Sequence, residues 1–487
     1  MKSKKILIGF LIALSLWSCD DILDTTPFSV ITSQNMWQTE SDAKAGILGM
    51  YSRFRTTFNT EIFLIWYEFR SGFWMNGASG AGQWDNLYLN TPNATSTPGT
   101  DWSDIYKVIN QANLAIKYIP ELDFSVETNR QNLLADAYFM RAFCYFTLAR
   151  IWGDVPVVTE PVESLDDPNI YPSRAVVADV FTQIKEDIDL AMTNMVDVST
   201  RNRVMASRAG INMLKADVYL WTAKRLGGGN ADLAVAQTAA EAVMADANYG
   251  LTTTYDEAFR VEQNKEIIFS IYFTTTEGSQ NQFGQRFTFQ SGQVAAAYRN
   301  NPVPIGSSAQ WHVFNTNYVN NYLNKNASDT RRTTNYSTFT GGGKTYRWVN
   351  KYLGEIISGT RNAISDTRIY RFAEAILFKA EAMNGQGNTT GAIIELNKIA
   401  KRAYGVDNFY ASTLTQTEVD AAILHERLVE FGAEGKSWFD FIRFGKAFEL
   451  IPTLVGREDD NQGNILLLPV HPSTLTNNIN IEQTPGY

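Results

Sequence analysis

Ala135-Asp-Ala-Tyr-Phe-Met-Arg-Ala-Phe-Cys-Tyr-Phe-Thr-Leu-Ala-Arg-Ile-Trp-Gly-Asp-Val-Pro156 is the stretch on which the fold turns. Ala135, Ala142 and Ala149 recur at seven-residue steps, nearly two helical turns, so they share one stripe where a second helix can approach closely. The spacing predicts a helix over 128–151. Gly153 then stops it, and Val155-Pro156 turns the chain into extended conformation. The same small-residue stripe returns as Ala209, Ala216 and Ala223, and again as Ala373 and Ala380. A large residue often follows three positions on, as in Ala142–Tyr145, Ala216–Tyr219 and Ala380–Met383.

Such alternation of small and large residues resembles tetratricopeptide helix pairs, whose period is about 34 residues. A general helical bundle with alanine contacts would share the stripes. Working outward, the apolar period predicts further helices over 33–57, 101–119, 173–194, 207–226, 230–247, 368–386, 389–404 and 417–434. Thr100, Ser173, Ser207 and Asn230 are candidate N-caps, and Gly153, Gly227 and Gly435 follow helix ends. Glu266–Phe273 is β-branched and aromatic and reads as a strand. Gly-, Asn-, Ser- and Thr-rich stretches fill 71–100 and 274–365. The expected fold is mainly α, an α/α superhelix of tetratricopeptide-like helix pairs with long loop-rich insertions and a few short strands.

The N-terminus reads as an address. Lys2, Lys4 and Lys5 precede an apolar run, Ile6–Trp17, that is too short to span a bilayer. It ends in Leu16-Trp17-Ser18-Cys19, which resembles a bacterial lipobox, with Trp17 bulkier than usual. The resemblance implies a signal peptide over 1–18, cleavage before Cys19 and acylation of Cys19. Several acyl chains would anchor the protein stably. Asp20 and Asp21 resemble the export signal of surface-exposed lipoproteins.

Composition prunes the chemistry. The chain has 487 residues and a net charge of −9; without residues 1–18, 39 basic face 51 acidic residues. So acidic a body has no broad attraction for phosphate backbones, which excludes nucleic acid as an expected partner. The cysteines are Cys19 and Cys144, the histidines His312, His425 and His471, and no CxxC or HExxH occurs. A local zinc site and histidine-dependent nucleophilic catalysis are therefore not expected. Cys144 reads as a small buried apolar residue.

Four segments carry a family resemblance. Arg141–Pro156 is similar to the "RAFxYFxLxxxWGDVP" segment of SusD/RagB proteins, and Arg368–Asn384 to their "RxYRYAEVLLxxAEAxN" helix. Glu426–Gly445 is similar to "ERxxELxxEGxRWFDLxRxG", and Leu467–Val470 with Gln483–Tyr487 to "LLPIP" and "QNPGY". Lys436-Ser437, Val470, His471 and Thr484 depart from the pattern. The resemblance runs from residue 19 to 487 and implies one domain over 28–487 behind a lipidated tether at 19–27. Its scaffold would be 33–57, 101–247 and 368–445, and its variable ligand-face insertions 63–100 and 274–365. It implies a non-enzymatic outer-membrane lipoprotein that captures a glycan and delivers it to a SusC-like TonB-dependent transporter. The RagB branch implies the alternative of a peptide ligand. A glycosidase and a ligand-free structural lid are the other classes considered.

The residues agree that the motifs are scaffold. Glu426 and Glu430 are one helical turn apart and face the same way, whereas glycosidase carboxylates approach the scissile bond from opposite sides. No cofactor is expected; a structural calcium held by scattered loop Asp and Asn would leave no motif.

The ligand-binding candidates lie in the insertions. Residues 63–88 hold Phe63, Trp66, Tyr67, Phe69, Phe73, Trp74, Trp84 and Tyr88 among Gly72, Gly77, Gly80 and Gly82. Trp66, Phe69 and Tyr88 read as loop pins. Trp74 and Trp84, near Asn76, Gln83 and Asp85, read as an apolar platform with polar groups beside it, which suits a sugar ring and its hydroxyls. The second stretch, Gly278–Ser328, contains no Asp or Glu, although the chain's average predicts about five. Gln280, Asn281, Gln282, Gln285, Gln290, Gln293, Asn300 and Asn301 supply neutral donors and acceptors there. Tyr298, Arg299 and Trp311 are its chosen binding residues, with Trp348 a weaker candidate.

Overall fold

The computed structural model describes residues 36–487 apart from residues 60, 81, 165–166, 168–169, 197–201 and 279. The signal peptide over 1–18, the tether over 19–27 with Cys19, and residues 33–35 of the first predicted helix lie outside the described residues.

Nine long helices form the scaffold among the described residues: α1 (Glu40–Phe58), α2 (Ser103–Tyr118), α3 (Glu127–Trp152), α4 (Val177–Asn194), α5 (Arg208–Arg225), α6 (Gly229–Met244), α7 (Phe372–Gly385), α8 (Thr389–Tyr404) and α9 (Gln416–Glu430). Each packs on the next, which is the helix-pair superhelix expected. The small-residue stripes explain the close packing: Ala135, Ala142, Ala149, Ala209, Ala216, Ala373 and Ala380 are all buried. From Leu133 onward α3 is buried almost all round, Cys144 included, so it is the helix the others wrap.

Helix starts differ from expectation at three of the four caps. Ser207 caps α5 by accepting from Gly210 N at 3.0 Å. α2 instead begins after Trp102, with Asp101 Oδ1 accepting from Ser103 N, and Thr100 donates to Thr97 O. α4 begins at Val177, whose N–H is taken by Asp154 Oδ1 at 2.7 Å, so Ser173 has no capping role. α6 already contains Asn230. The predicted helix over 368–386 also divides: Thr367–Arg371 is a strand, and helix starts only at Phe372. The pairing of this segment with Ile267–Ile271 satisfies its main chain and overrides its helical period.

Among the described residues, ten short strands make five two-stranded ribbons: β1 (Trp74–Asn76), β2 (Ile267–Ile271), β3 (Phe289–Gln290), β4 (Ile305–Gly306), β5 (His312–Phe314), β6 (Tyr336–Gly341), β7 (Lys344–Val349), β8 (Glu355–Ile357), β9 (Thr360–Asn362) and β10 (Thr367–Arg371). The β1–β5 ribbon joins the two insertions, pairing Trp74 with Phe314 and Asn76 with His312.

The family-like segments meet inside the scaffold as a buried charge network. Arg371 bonds Glu266, Glu430 and Glu434; Arg402 bonds Glu266 and Glu430; Arg331 bonds Glu426 and Asp329. Arg427 bridges Glu374 and Asp440, and Arg443 bridges Glu381 and Asp440. Burial pushes the Glu430 carboxyl up, but Arg402, Arg371 and Arg331 outweigh it and hold it at about 2. Burial likewise opposes, and Arg443 and Lys224 prevail, at Glu381, also at about 2. Glu426 and Glu430 are thus structural ion-pair partners.

Gly435 shows why this junction needs a glycine: its φ is +75°, and a Cβ would come within 2.4 Å of Phe63. The C-terminal motif closes the body, since Leu468 N donates to Ile151 O and Trp152 Nε1 donates to Pro469 O.

Candidate ligand-binding site

The two insertions that were separate candidates in the sequence form one surface. Beyond the β1–β5 ribbon, Gly77 N donates to Trp311 O at 2.7 Å and Ser79 N to Gln310 O at 2.9 Å. The amide-rich stretch is largely consumed in building this surface. Gln310 donates to Phe287 O and Arg347 O, Gln293 donates to Ser79 Oγ and accepts from Gln290 N and Gln310 N, and Asn281 caps a turn at Gly284. Amides suit that work because each offers donors and an acceptor without the desolvation cost of a charge. The expectation that these amides would face a ligand is corrected for Asn281 and Gln293.

Trp74 and Trp84 also differ from their reading as open platforms. Trp74 is 3% exposed, stacked on Phe287 at 5.5 Å, with its Nε1 donating to the buried carboxylate of Glu68. It therefore joins Trp66, Phe69 and Tyr88 as a loop pin. Glu68 also accepts from Gly435 N and Lys436 N, and burial pushes its carboxyl up to about 7 against those bonds. Trp84 is 7% exposed, edge-on to Phe69 and to His312. Trp348 and Tyr346 are buried in the β6–β7 hairpin, and Trp348 Nε1 donates to Asn350.

The remaining candidates divide into two places. Asn76 Nδ2 donates to Asp85 Oδ1 at 2.8 Å, both partly exposed, beside Trp84 and opposite His312. The half-buried Trp311 follows directly, with the Arg286 guanidinium 4.9 Å from its ring. Tyr298 and Arg299 lie elsewhere. Tyr298 packs on Phe339 and Tyr346 of the hairpin, and the exposed Arg299 donates through Nε to Val294 O.

The sequence reading missed Glu61, Arg286 and His312. Glu61 Oε1 lies 2.9 Å from Arg286 Nε and 3.7 Å from His312 Nε2. His312 is fully buried, and burial lowers its pKa despite Glu61, so the ring is neutral near pH 7. The Tyr88 hydroxyl lies 2.8 Å from His312 Nδ1; with the phenol donating, the ring proton rests on Nε2. Among the described residues, His312 Nε2, Trp84 Nε1 and Asn76 Oδ1 are buried without a hydrogen-bond partner. Only the adjacency of His312 to Trp311 could have signalled this in the sequence.

Chemically, this surface offers a half-buried indole, a guanidinium, two carboxylates and polar atoms with spare capacity. Carboxylates accept from hydroxyls and the guanidinium donates to them, so the set matches a neutral polyhydroxyl ligand. Two acids against one arginine disfavour an anion. Among the described residues no group of three or more His, Cys, Asp or Glu is arranged to hold a metal, and no helix is long and apolar enough to cross a membrane.

The fold defines a scaffold of tetratricopeptide-like helix pairs. Residues 192–487 match the family model described as SusD family, and residues 56–220 match one described as starch-binding associating with outer membrane. The protein belongs to the SusD family. It is 29% identical over 530 residues to SusD-like protein P38 of Formosa agariphila, a match that covers 100% of both chains. The solved structure of B. fragilis NanU is 28% identical, with a TM-score of 0.80 over 95% of this chain and 99% of that one. A laminarin binding SusD-like protein, 23% identical, shares the fold with a TM-score of 0.73 over 93% of this chain and 100% of its own.

Proposed function

We propose that this protein is a non-enzymatic glycan-binding lipoprotein, anchored at the outer-membrane surface through Cys19, that delivers oligo- or polysaccharide to a SusC-like TonB-dependent transporter. The observation that carries the reading is the surface where Trp311, under Arg286, meets Glu61, Asp85 and Asn76. A pyranose ring has apolar C–H faces for the indole and hydroxyls for the polar groups around it. The starch-binding description of one matching family model and the laminarin-binding name of one structural neighbour support a glycan as the ligand class. The ion pairing of Glu426 and Glu430 within the core supports a binding role over hydrolysis. Asn76, Asp85, Trp311 and the newly added Glu61 and Arg286 are the residues assigned to the site. Tyr298 and Arg299 would serve at most an outlying contact.

Titration of the detergent-solubilised full chain with malto-oligosaccharides, laminari-oligosaccharides and peptide mixtures tests this, with products checked for cleavage. Saturable glycan binding without cleavage, weakened by Trp311→Ala, is expected. Binding of peptides alone, or turnover of any glycan, would overturn it.

A further inference from the structure

A groove of about 620 Å³ opens far from that surface in sequence, on the scaffold itself. Its walls are α2, the residues Pro156, Val158, Val162, Ile170 and Pro172, and the C-terminal residues Thr474, Asn477, Asn478 and Ile481, with Arg53 of α1 also lining it. Trp102, Tyr106 and Leu114 give it apolar lining, and no Asp or Glu lines it among the described residues, in a chain of net charge −9.

The hydrogen bonding of its walls narrows the occupant. Tyr106 Oη donates to Pro156 O, Asn113 donates to Val158 O and Glu160 O, and Asn110 donates to Val162 O and accepts from Val162 N. The main chain over 156–162 is thus largely engaged by α2 and offers no open row to an extended peptide. What remains unengaged belongs to side chains. Gln111 Oε1 is buried without a partner, and the Arg53 and Asn477 side chains make no hydrogen bond or ion pair among the described residues. A cavity of this size, with aromatic and apolar lining and a few neutral or cationic donors, fits a ligand recognised through hydroxyls rather than through main-chain amides.

We propose that this groove is a second glycan-binding site, which takes an oligosaccharide chain along α2 and hydrogen-bonds its hydroxyls through Gln111, Asn477 and Arg53. It shares with the proposed function only the class of ligand.

Isothermal titration of the detergent-solubilised full chain with maltoheptaose and with laminarihexaose tests it. The wild type is expected to bind at two sites. Gln111→Trp, which fills the groove from a partly buried helix position, removes one site and leaves the other. Trp311→Ala affects only the site on the insertions. The double variant Arg53→Ala/Asn477→Ala, confined to exposed side chains, weakens the groove site by about tenfold and keeps the question answerable if the tryptophan variant fails to fold. Groove variants that change neither stoichiometry nor affinity would sink the second site while leaving the first intact. Loss of all binding in Trp311→Ala would likewise sink the second site, and no binding of either probe by the wild type would overturn both sites. A peptide displaced by Gln111→Trp, where neither glycan binds, would overturn the ligand class.

Discussion

The helical scaffold and the joined insertions both bury polar groups, but they leave them in different conditions. Within the scaffold, Arg331, Arg371 and Arg402 bond to several carboxylates, and those carboxylates are shared in turn. On the β1–β5 surface, His312 Nε2, Trp84 Nε1 and Asn76 Oδ1 are buried with no partner among the described residues. An unsatisfied buried polar atom costs about 1–3 kcal/mol, so a fold tolerates a cluster of them where water or a ligand completes the bonds. In the scaffold the unpartnered atoms, such as Arg402 Nε and Arg427 Nη1, belong to groups already ion-paired through other atoms, whereas on the surface Trp84 has no hydrogen bond for its one polar side-chain atom among the described residues.

The contrast can be broken most sharply from the scaffold side. Arg371→Ala would leave Glu266, Glu430 and Glu434 short of a shared cation, and a loss of about 3–5 kcal/mol in urea denaturation is expected. A variant that unfolds at the wild-type midpoint would show that the network contributes no net stability.

Acid should find the same difference. Glu430 and Glu381 are held at about 2, below their ordinary 4.5, so their contribution is full above 4.5 and disappears as pH falls toward 2. Glu68 behaves oppositely: raised to about 7, it contributes fully below 4.5, and that contribution is lost as pH rises through 7. Unfolding followed across both windows should show the acid limb, and Glu68→Gln should flatten the neutral one.

On the surface side, Trp311→Ala should weaken oligosaccharide binding about tenfold while shifting stability by less than about 1 kcal/mol, because the ring is only half buried. Equal losses of binding and stability would place Trp311 with the loop pins. The smallest effect is local: Ser207→Ala should cost about 1 kcal/mol through the lost α5 cap, read as a lower melting temperature with ligand affinity unchanged.

Much of the scaffold was legible because helix packing repeats. Alanines at seven-residue steps announce close helix contacts whatever their neighbours, and every one of them is buried except Ala223, which is partly buried. The exceptions were local competitions. Arg368–Arg371 carried a helical pattern but became strand because Ile267–Ile271 was available to pair with it. Thr100 and Ser173 lost their capping roles to neighbouring arrangements, with Asp101 and Asp154 accepting the first N–H groups instead. In the insertions, aromatic content did not reveal which ring face stayed open. Trp74 and Trp311 look alike in sequence, yet one is stacked in the core and the other only half buried.

The sequence by itself determined the helix-pair scaffold, the family and the charged motifs that lock it, because periodic burial and short-range pairing leave a mark on residue spacing. Only the tertiary structure decided that residues 74–85 and 310–312 share one surface, that Glu61 and Arg286 belong to it, and that a groove lies along α2. Those facts depend on contacts between segments more than 200 residues apart, such as Asn76 with His312, and no local pattern records which distant loop a side chain will meet.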